Sequence, residues 1–431
     1  MLFVTILYLI AIEFFAWYRY RDILCPAVLH NIFWILSLAG LGLIDAAMDI
    51  SIKTSFVIIS GGVAFQIGYA KSPIPPRRSL KSKIRVNIQT LYIFIFLLFI
   101  PFLWVMWLYI KSGVFSGATL YNALTEGKEE VGLPTIVSYV FKFIQFFSLA
   151  VLTINWTILK NSKNRLLKRA IFLLFVMALV CTLSVPTRNG LLFYFAPLIM
   201  VYLFTHKLKR KQILAYLAIG LLVFLAFFYF VSVGKYWYNY ENGESPLSVL
   251  SGELLSYLSL SIHALDITMD SHEFTRLGSD TFRFLLAIWD SIAGTNYTPN
   301  IVNDFIETGP TTNVYTFYDY YLRDFGVFYA ILIQFLVAWI HGYFYKRLKV
   351  KKGLSTVYFC ALLVYPLLMQ FFQDQYASLM SLWVQALVVA LLVFGTDIFL
   401  TYEKPVTSGC KVLACRRVRY IISFASLRPR V

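Results

Sequence analysis

Eleven apolar stretches limit what this chain can fold into. They fall at about 2–18, 27–45, 54–70, 88–110, 134–159, 170–186, 190–205, 212–232, 325–345, 354–372 and 377–400. A helix rises about 1.5 Å per residue and the bilayer core is about 30 Å thick, so roughly 20 apolar residues cross it. With 59% hydrophobic and only 14% charged residues among 431, the chain has more apolar surface than a water-soluble core needs. Barrel strands would give short alternating runs, and none dominate. The expected fold is an all-α polytopic integral membrane protein with about eleven transmembrane helices. Residues 2–18 lack a basic leader and a small-residue cleavage site, so they read as a retained first span rather than a signal peptide.

Charge sets the orientation. Lys and Arg number two at 19–26, six at 71–87, five at 160–169, four at 206–211, five at 346–352 and seven at 404–431. These 29 of the chain's 38 basic residues lie in alternate connections and the tail. The positive-inside rule makes that side cytoplasmic, which predicts N-out and C-in. The net charge of +16 is then loop bias, and nucleic acid is not an expected partner. The bilayer is.

The chain divides accordingly. Residues 1–232 carry eight spans, 233–324 form one long outer loop, 325–403 carry three spans, and 404–431 are a basic tail. The loop holds four basic residues against twelve acidic ones. Leu247, Leu250, Leu254, Leu258 and Leu265 repeat at helical spacing in 246–269, with Ser245 as cap and Pro246 in the first position. A second helix is predicted over 280–293 after Ser279, ending at Gly294. A third, at 312–324, runs into the ninth span. Each has an apolar face, so these helices are expected on the membrane or over the mouth of the bundle.

No portable catalytic or nucleotide-binding motif is present. Cys25, Cys181, Cys360, Cys410 and Cys415 leave no expected outer disulfide. Cys410 and Cys415 are two sulfurs without a partner pair, and free thiols are the plainer reading. Neither metal nor cofactor is expected.

What remains are charges where charge is costly. Arg188 sits in the hairpin SVPTRNG between spans six and seven, as either a phosphate-binding fork or a snorkelling anchor. Lys142, with Gln145 nearby, lies about 12 Å into span five, facing a wet cavity or an internal salt bridge. Arg276 and Arg283 flank the start of the second loop helix, where Asp280 can pair with Arg283. His263, Asp266 and Asp270 share a helical face, as a base held by carboxylates or as a solvated stripe. Asp319 and Arg323 are four apart with the acid first, and Tyr315, Tyr318, Tyr320 and Tyr321 suit an interfacial belt.

Together these features resemble the bacterial oligosaccharide repeat-unit polymerases, the O-antigen polymerase (Wzy) family. The architecture carries most of the likeness. Locally it rests on the Arg-Asn-Gly hairpin at Arg188 and on GPTTNVYTFYDYYLRDFGVFYA at 309–330. The latter is similar to the family's Pro-Thr-Asn block followed by aromatics and Asp-Phe-Gly entering a span. Arg283 and Gly294 match a further family pattern, an Arg and a Gly with ten residues between them; Arg188 does not, since position 199 is Ile.

The resemblance implies transfer of a growing glycan from undecaprenyl pyrophosphate to a hydroxyl of an incoming lipid-linked repeat unit. The site would face the periplasm of the bacterial inner membrane, and a chain-length regulator is an implied partner. Arg188 and Arg323 would neutralise the departing phosphates, with Asp319, Asp324 or His263 as base. Arg276, Arg283, Asn313, Tyr320 and Lys142 would bind substrate. An O-antigen ligase is the nearest alternative. A flippase would carry more charge within its spans and no large outer loop. A polytopic acyltransferase would need a deep histidine, and His30 and His341 are expected near cytoplasmic helix ends.

Overall fold

The computed structural model describes residues 1–44, 49–74, 76, 83–111, 135–184, 188–235, 245–270, 277–295, 306–307 and 311–403. Helices cover all eleven apolar segments. They are α1 (Leu2–Tyr20), α2 (Pro26–Ile44), α3 (Ile52–Lys71), α4 (Ile88–Lys111), α5 (Thr135–Thr157), α6 (Arg165–Leu183), α7 (Arg188–Thr205) and α8 (Arg210–Lys235). The second half adds α9 (Pro246–Asp270), α10 (Arg283–Ala293), α11 (Tyr318–Val350), α12 (Leu354–Leu362), α13 (Val364–Leu368) and α14 (Met380–Ala390). Among the described residues, eight helices are long and apolar enough to cross a membrane. The apolar runs Gly190–Thr205, Leu354–Leu368 and Met380–Gly395 are shorter. The chain is a multi-pass helical membrane protein.

Among the described residues two short strand pairs form, one between distant segments and one local. Lys83–Val86 (β1) pairs antiparallel with Leu400–Glu403 (β4), which joins the third connection to the end of the last helix. Ile306–Glu307 (β2) pairs with Thr311–Thr312 (β3) just before α11. Helix α11 therefore begins at Tyr318, and the six residues before it, predicted helical, are strand and loop.

Close approach is built from small residues. A Cβ added to Gly68 of α3 would collide with the Phe335 carbonyl of α11, so only glycine lets these two backbones meet. Gly326 breaks α11 with φ 79°, a left-handed conformation that glycine adopts without penalty. The break separates a short entry helix, residues 318–325, from the long span below it.

Helix α9 departs from expectation. Ser245 caps it as predicted, accepting the Ser248 N–H at 3.2 Å. The helix does not lie over the bundle, however. It packs into it along α2, where Ser259 Oγ donates to the Ser37 carbonyl at 3.1 Å and Asp266 accepts the Ser51 N–H at 2.9 Å. Ser259, Ile262, Ala264 and Leu265 are fully enclosed, so burial rather than a lipid surface covers that apolar face. Helix α10 is the opposite case. It has no buried residue, and Trp289 and Ile292 are 62% and 76% exposed. Its Gly294 terminus is as predicted, left-handed with its N–H on Asp290 O at 2.7 Å.

Candidate functional site

The entry helix of α11 is the centre of the site. Tyr315, Tyr318, Tyr320 and Tyr321 are all buried, so the expected interfacial belt is instead an interior aromatic wall. The rings bring large apolar area that favours burial; Tyr321 Oη donates to Asp374 at 3.1 Å, while the buried Tyr318 Oη has no hydrogen-bond partner among the described residues. Phe317 packs between Tyr318 and Tyr321, with centroids 5.4 and 4.9 Å away. Tyr318 reaches across to α2, 5.3 Å from Trp34, directly over Gly61 of α3.

The Asp319–Arg323 pair predicted from spacing forms within that wall. Arg323 Nε donates to Asp319 Oδ1 at 2.9 Å, and the guanidinium lies 4.7 Å over the Tyr315 ring. Asp319 is 1% exposed and Arg323 9%. This is a buried ion pair rather than a surface bridge, so each charge depends on its partner.

Asp324 points elsewhere. Its carboxylate accepts the backbone N–H groups of Thr281 at 2.7 Å and Asp280 at 3.4 Å. That grip holds the turn that precedes α10, which starts at Arg283, three residues later than predicted. It also delivers Arg283 to the site. Arg283 Nη2 donates to the Ser378 carbonyl at 2.9 Å, with its guanidinium 5.5 Å from the Tyr320 ring. Its Nη1 is buried and has no hydrogen-bond partner among the described residues.

The third wall was not anticipated. The segment between α13 and α14 reads QFFQDQYAS over 370–378, of which only 373–376 is expected as an outer connection and the rest as parts of the flanking spans. Its non-helical backbone is packed among helices. Asp374 is fully buried and accepts Tyr321 Oη at 3.1 Å, Tyr376 N–H at 3.1 Å and Ser378 N–H at 2.8 Å. Burial pushes its carboxyl above the usual range, opposed by those donors and by the nearby Arg283 charge. Gln375 accepts Tyr365 Oη at 3.0 Å. Gln370 and Tyr376 extend the network: Gln334 Nε2 donates to Gln370 Oε1 at 2.9 Å and contacts His30 Nε2 at 2.6 Å, while Tyr376 Oη meets His341 Nε2 at 2.8 Å. Both histidines expected near helix ends are thus wired to this segment. The signal available was compositional: Gln370, Gln373, Asp374 and Gln375 put four polar groups in six residues between apolar helices.

The remaining predicted residues divide. Lys142 holds its Nζ 4.0 Å over Phe193, whose ring is 5.2 Å from Tyr365, so it borders the cluster through two aromatic rings. Asn313 is half-buried in the loop before α11. Of the His263, Asp266 and Asp270 stripe, Asp266 is engaged with Ser51, and His263 Nδ1 is buried with no hydrogen-bond partner among the described residues. The Asp270 side chain and Arg276 lie outside the described residues. Arg188 opens α7, but its side chain also lies outside them.

Beside the cluster runs an apolar cleft of about 450 Å³ between α4, α5, α10 and α14, lined by Leu98, Phe143, Phe284 and Gln385 among others. Phe284, which follows Arg283 on α10, lines this cleft, as does Ser381, three residues after Ser378. Both amide atoms of Gln385 are buried without partners. No cluster of three metal-binding side chains occurs among the described residues.

The fold and this charged, aromatic interior define a multi-pass helical membrane protein with a polar centre beside an apolar cleft. No protein-family model matches the chain, and neither a curated protein nor a solved structure matches it.

Proposed function

We propose that the chain is a lipid-linked oligosaccharide polymerase of the O-antigen polymerase type, acting at the periplasmic face of a bacterial inner membrane. The reading takes eleven spans with N-out and C-in orientation. The observation that carries it is Arg283 Nη1, a buried cationic donor with no hydrogen-bond partner among the described residues, on a helix whose Phe284 lines an apolar cleft. An orphaned donor of this kind is costly unless a ligand completes it. An amphiphile with an anionic head and a long hydrocarbon tail satisfies both halves, and undecaprenyl pyrophosphate is such a molecule.

The chemistry follows from those groups. The acceptor hydroxyl oxygen forms a bond to the anomeric carbon as that carbon's bond to the phosphate oxygen breaks. The electron pair leaves on the pyrophosphate, where Arg283, Arg323 and Arg188 neutralise the developing charge. The hydroxyl proton passes to a base. Asp324 already holds two backbone N–H groups, which leaves Asp319 and His263 as the bases to test. Asn313 and Tyr320 are the sugar contacts to test.

The test uses purified protein with lipid-linked repeat units in mixed micelles. The expected product is a ladder of lipid-linked oligomers together with released lipid pyrophosphate. Transfer only to a lipid A-core acceptor would replace this reading with the ligase, and no transfer to either acceptor would reject it.

A further inference from the structure

A second cavity, about 440 Å³, lies at the opposite end of the fold, where the basic connections gather. The end of α5, the start of α6 and the middle of α7 enclose it. Phe172, Phe175, Ile171 and Leu198 make its apolar wall, and Phe172 is 64% exposed on the outer side. Lys160 and Lys168 stand at its rim with Asn155 and Trp156. Trp156 is fixed there by edge-on contact with Tyr202, centroids 5.4 Å apart.

The charge around this cavity is one-sided. No Asp or Glu lines it. The chain contains no acidic residue at all between Glu130 and Glu241, while Lys160, Lys163, Arg165, Lys168 and Arg169 crowd one short connection. The three enclosing helices therefore offer the lysines no carboxylate. Two cations over an apolar slot fit one ligand class, an anionic head carrying an acyl chain.

We infer that this cavity is a binding site for one anionic phospholipid, its phosphate between Lys160 and Lys168 and its acyl chain along Phe172, Phe175 and Leu198. The site rests on the membrane character of the fold and is independent of the glycan reading. It takes a lipid from the leaflet on the basic side, where polybasic segments attract anionic headgroups.

Native mass spectrometry of the full chain, titrated with phosphatidylglycerol or with phosphatidylcholine of the same acyl chains, tests it. Phosphatidylglycerol binds more tightly to the wild type. Each of K160A and K168A lowers that preference about fivefold, and the double variant about 25-fold, as expected at about 1 kcal/mol per lysine. Leu198→Trp fills the slot and weakens both lipids. Both lysines are exposed, so the variants fold, and size-exclusion profiles verify it. Equal affinity for the two lipids, an undiminished preference in the double variant, or displacement by millimolar inorganic phosphate alone would each overturn the assignment.

Discussion

Arg323 and Asp319 stand one helical turn apart at the head of α11, joined at 2.9 Å and enclosed by Tyr315. Breaking a buried pair from one side strands the other charge, which costs about 3–5 kcal/mol. We therefore expect Arg323→Ala and Asp319→Ala each to lower the melting temperature in detergent. The double variant removes both charges and recovers part of that loss. Glycan transfer stays absent in all three. Full transfer by the folded double variant would reduce the pair to a structural role.

Arg283 differs because it is half-buried and makes one hydrogen bond outward to Ser378. Arg283→Ala is expected to cost about 1–2 kcal/mol in stability and yet abolish long glycan chains. Arg283→Lys loses the fork that reaches Ser378 and an anion together, and it fails nearly as badly. A gel ladder of normal length from Arg283→Ala would contradict the site. Arg188→Ala is the parallel experiment on α7, with the same loss of chain length expected.

Asp374 accepts three donors, so Asp374→Ala leaves them dry at about 1–3 kcal/mol each. Asp374→Asn keeps acceptor oxygen and costs less. The sign of the pH effect follows from its raised carboxyl. A group whose folded pKa exceeds its unfolded one stabilises most below the ordinary carboxylate range, and that share is lost as pH rises through the folded value. Unfolding midpoints measured against pH should show this decline in the wild type and a flatter profile in Asp374→Asn.

Gly61 lies under Tyr318, where an added Cβ would overlap the phenol. Gly61→Ala forces that ring and Trp34 apart, at about 1–3 kcal/mol by overpacking. Thermal unfolding reads the loss. Tyr318→Phe in the same background recovers part of it, because the clash is with the hydroxyl first.

Gln385 tests the cleft. Its two amide atoms have no partners, so Gln385→Leu should raise stability by about 1 kcal/mol or more. If the amide greets a lipid-linked substrate, the same change raises the KM for the lipid donor while leaving the protein more stable. A stabilised variant with unchanged KM would detach Gln385 from substrate binding.

Much of this architecture is written locally. The apolar runs placed every long helix, since a backbone in hydrocarbon has to satisfy its own hydrogen bonds and helices do so within one segment. The Ser245 cap, the Gly294 terminus and the Asp319–Arg323 spacing were equally legible, because each is decided within about one turn. What lay beyond reach depended on segments far apart in the chain. The tyrosines of 315–321 were expected at a wet surface and are interior, because α2, α3 and 370–378 close over them. Helix α9 carries an apolar face whose period could not say whether lipid or α2 would cover it. Asp324 holds the turn before α10 from 43 residues away in sequence, a relation no periodicity contains. The Gln370–Ser378 segment passed for two span ends and a connection because its partners, Tyr321, Gln334 and His341, all lie on another helix. Sequence determined which stretches are helical and which end is basic, through local hydrogen bonding and hydration. Only the tertiary structure decided which polar groups meet, because desolvation makes each one seek a partner wherever packing supplies it.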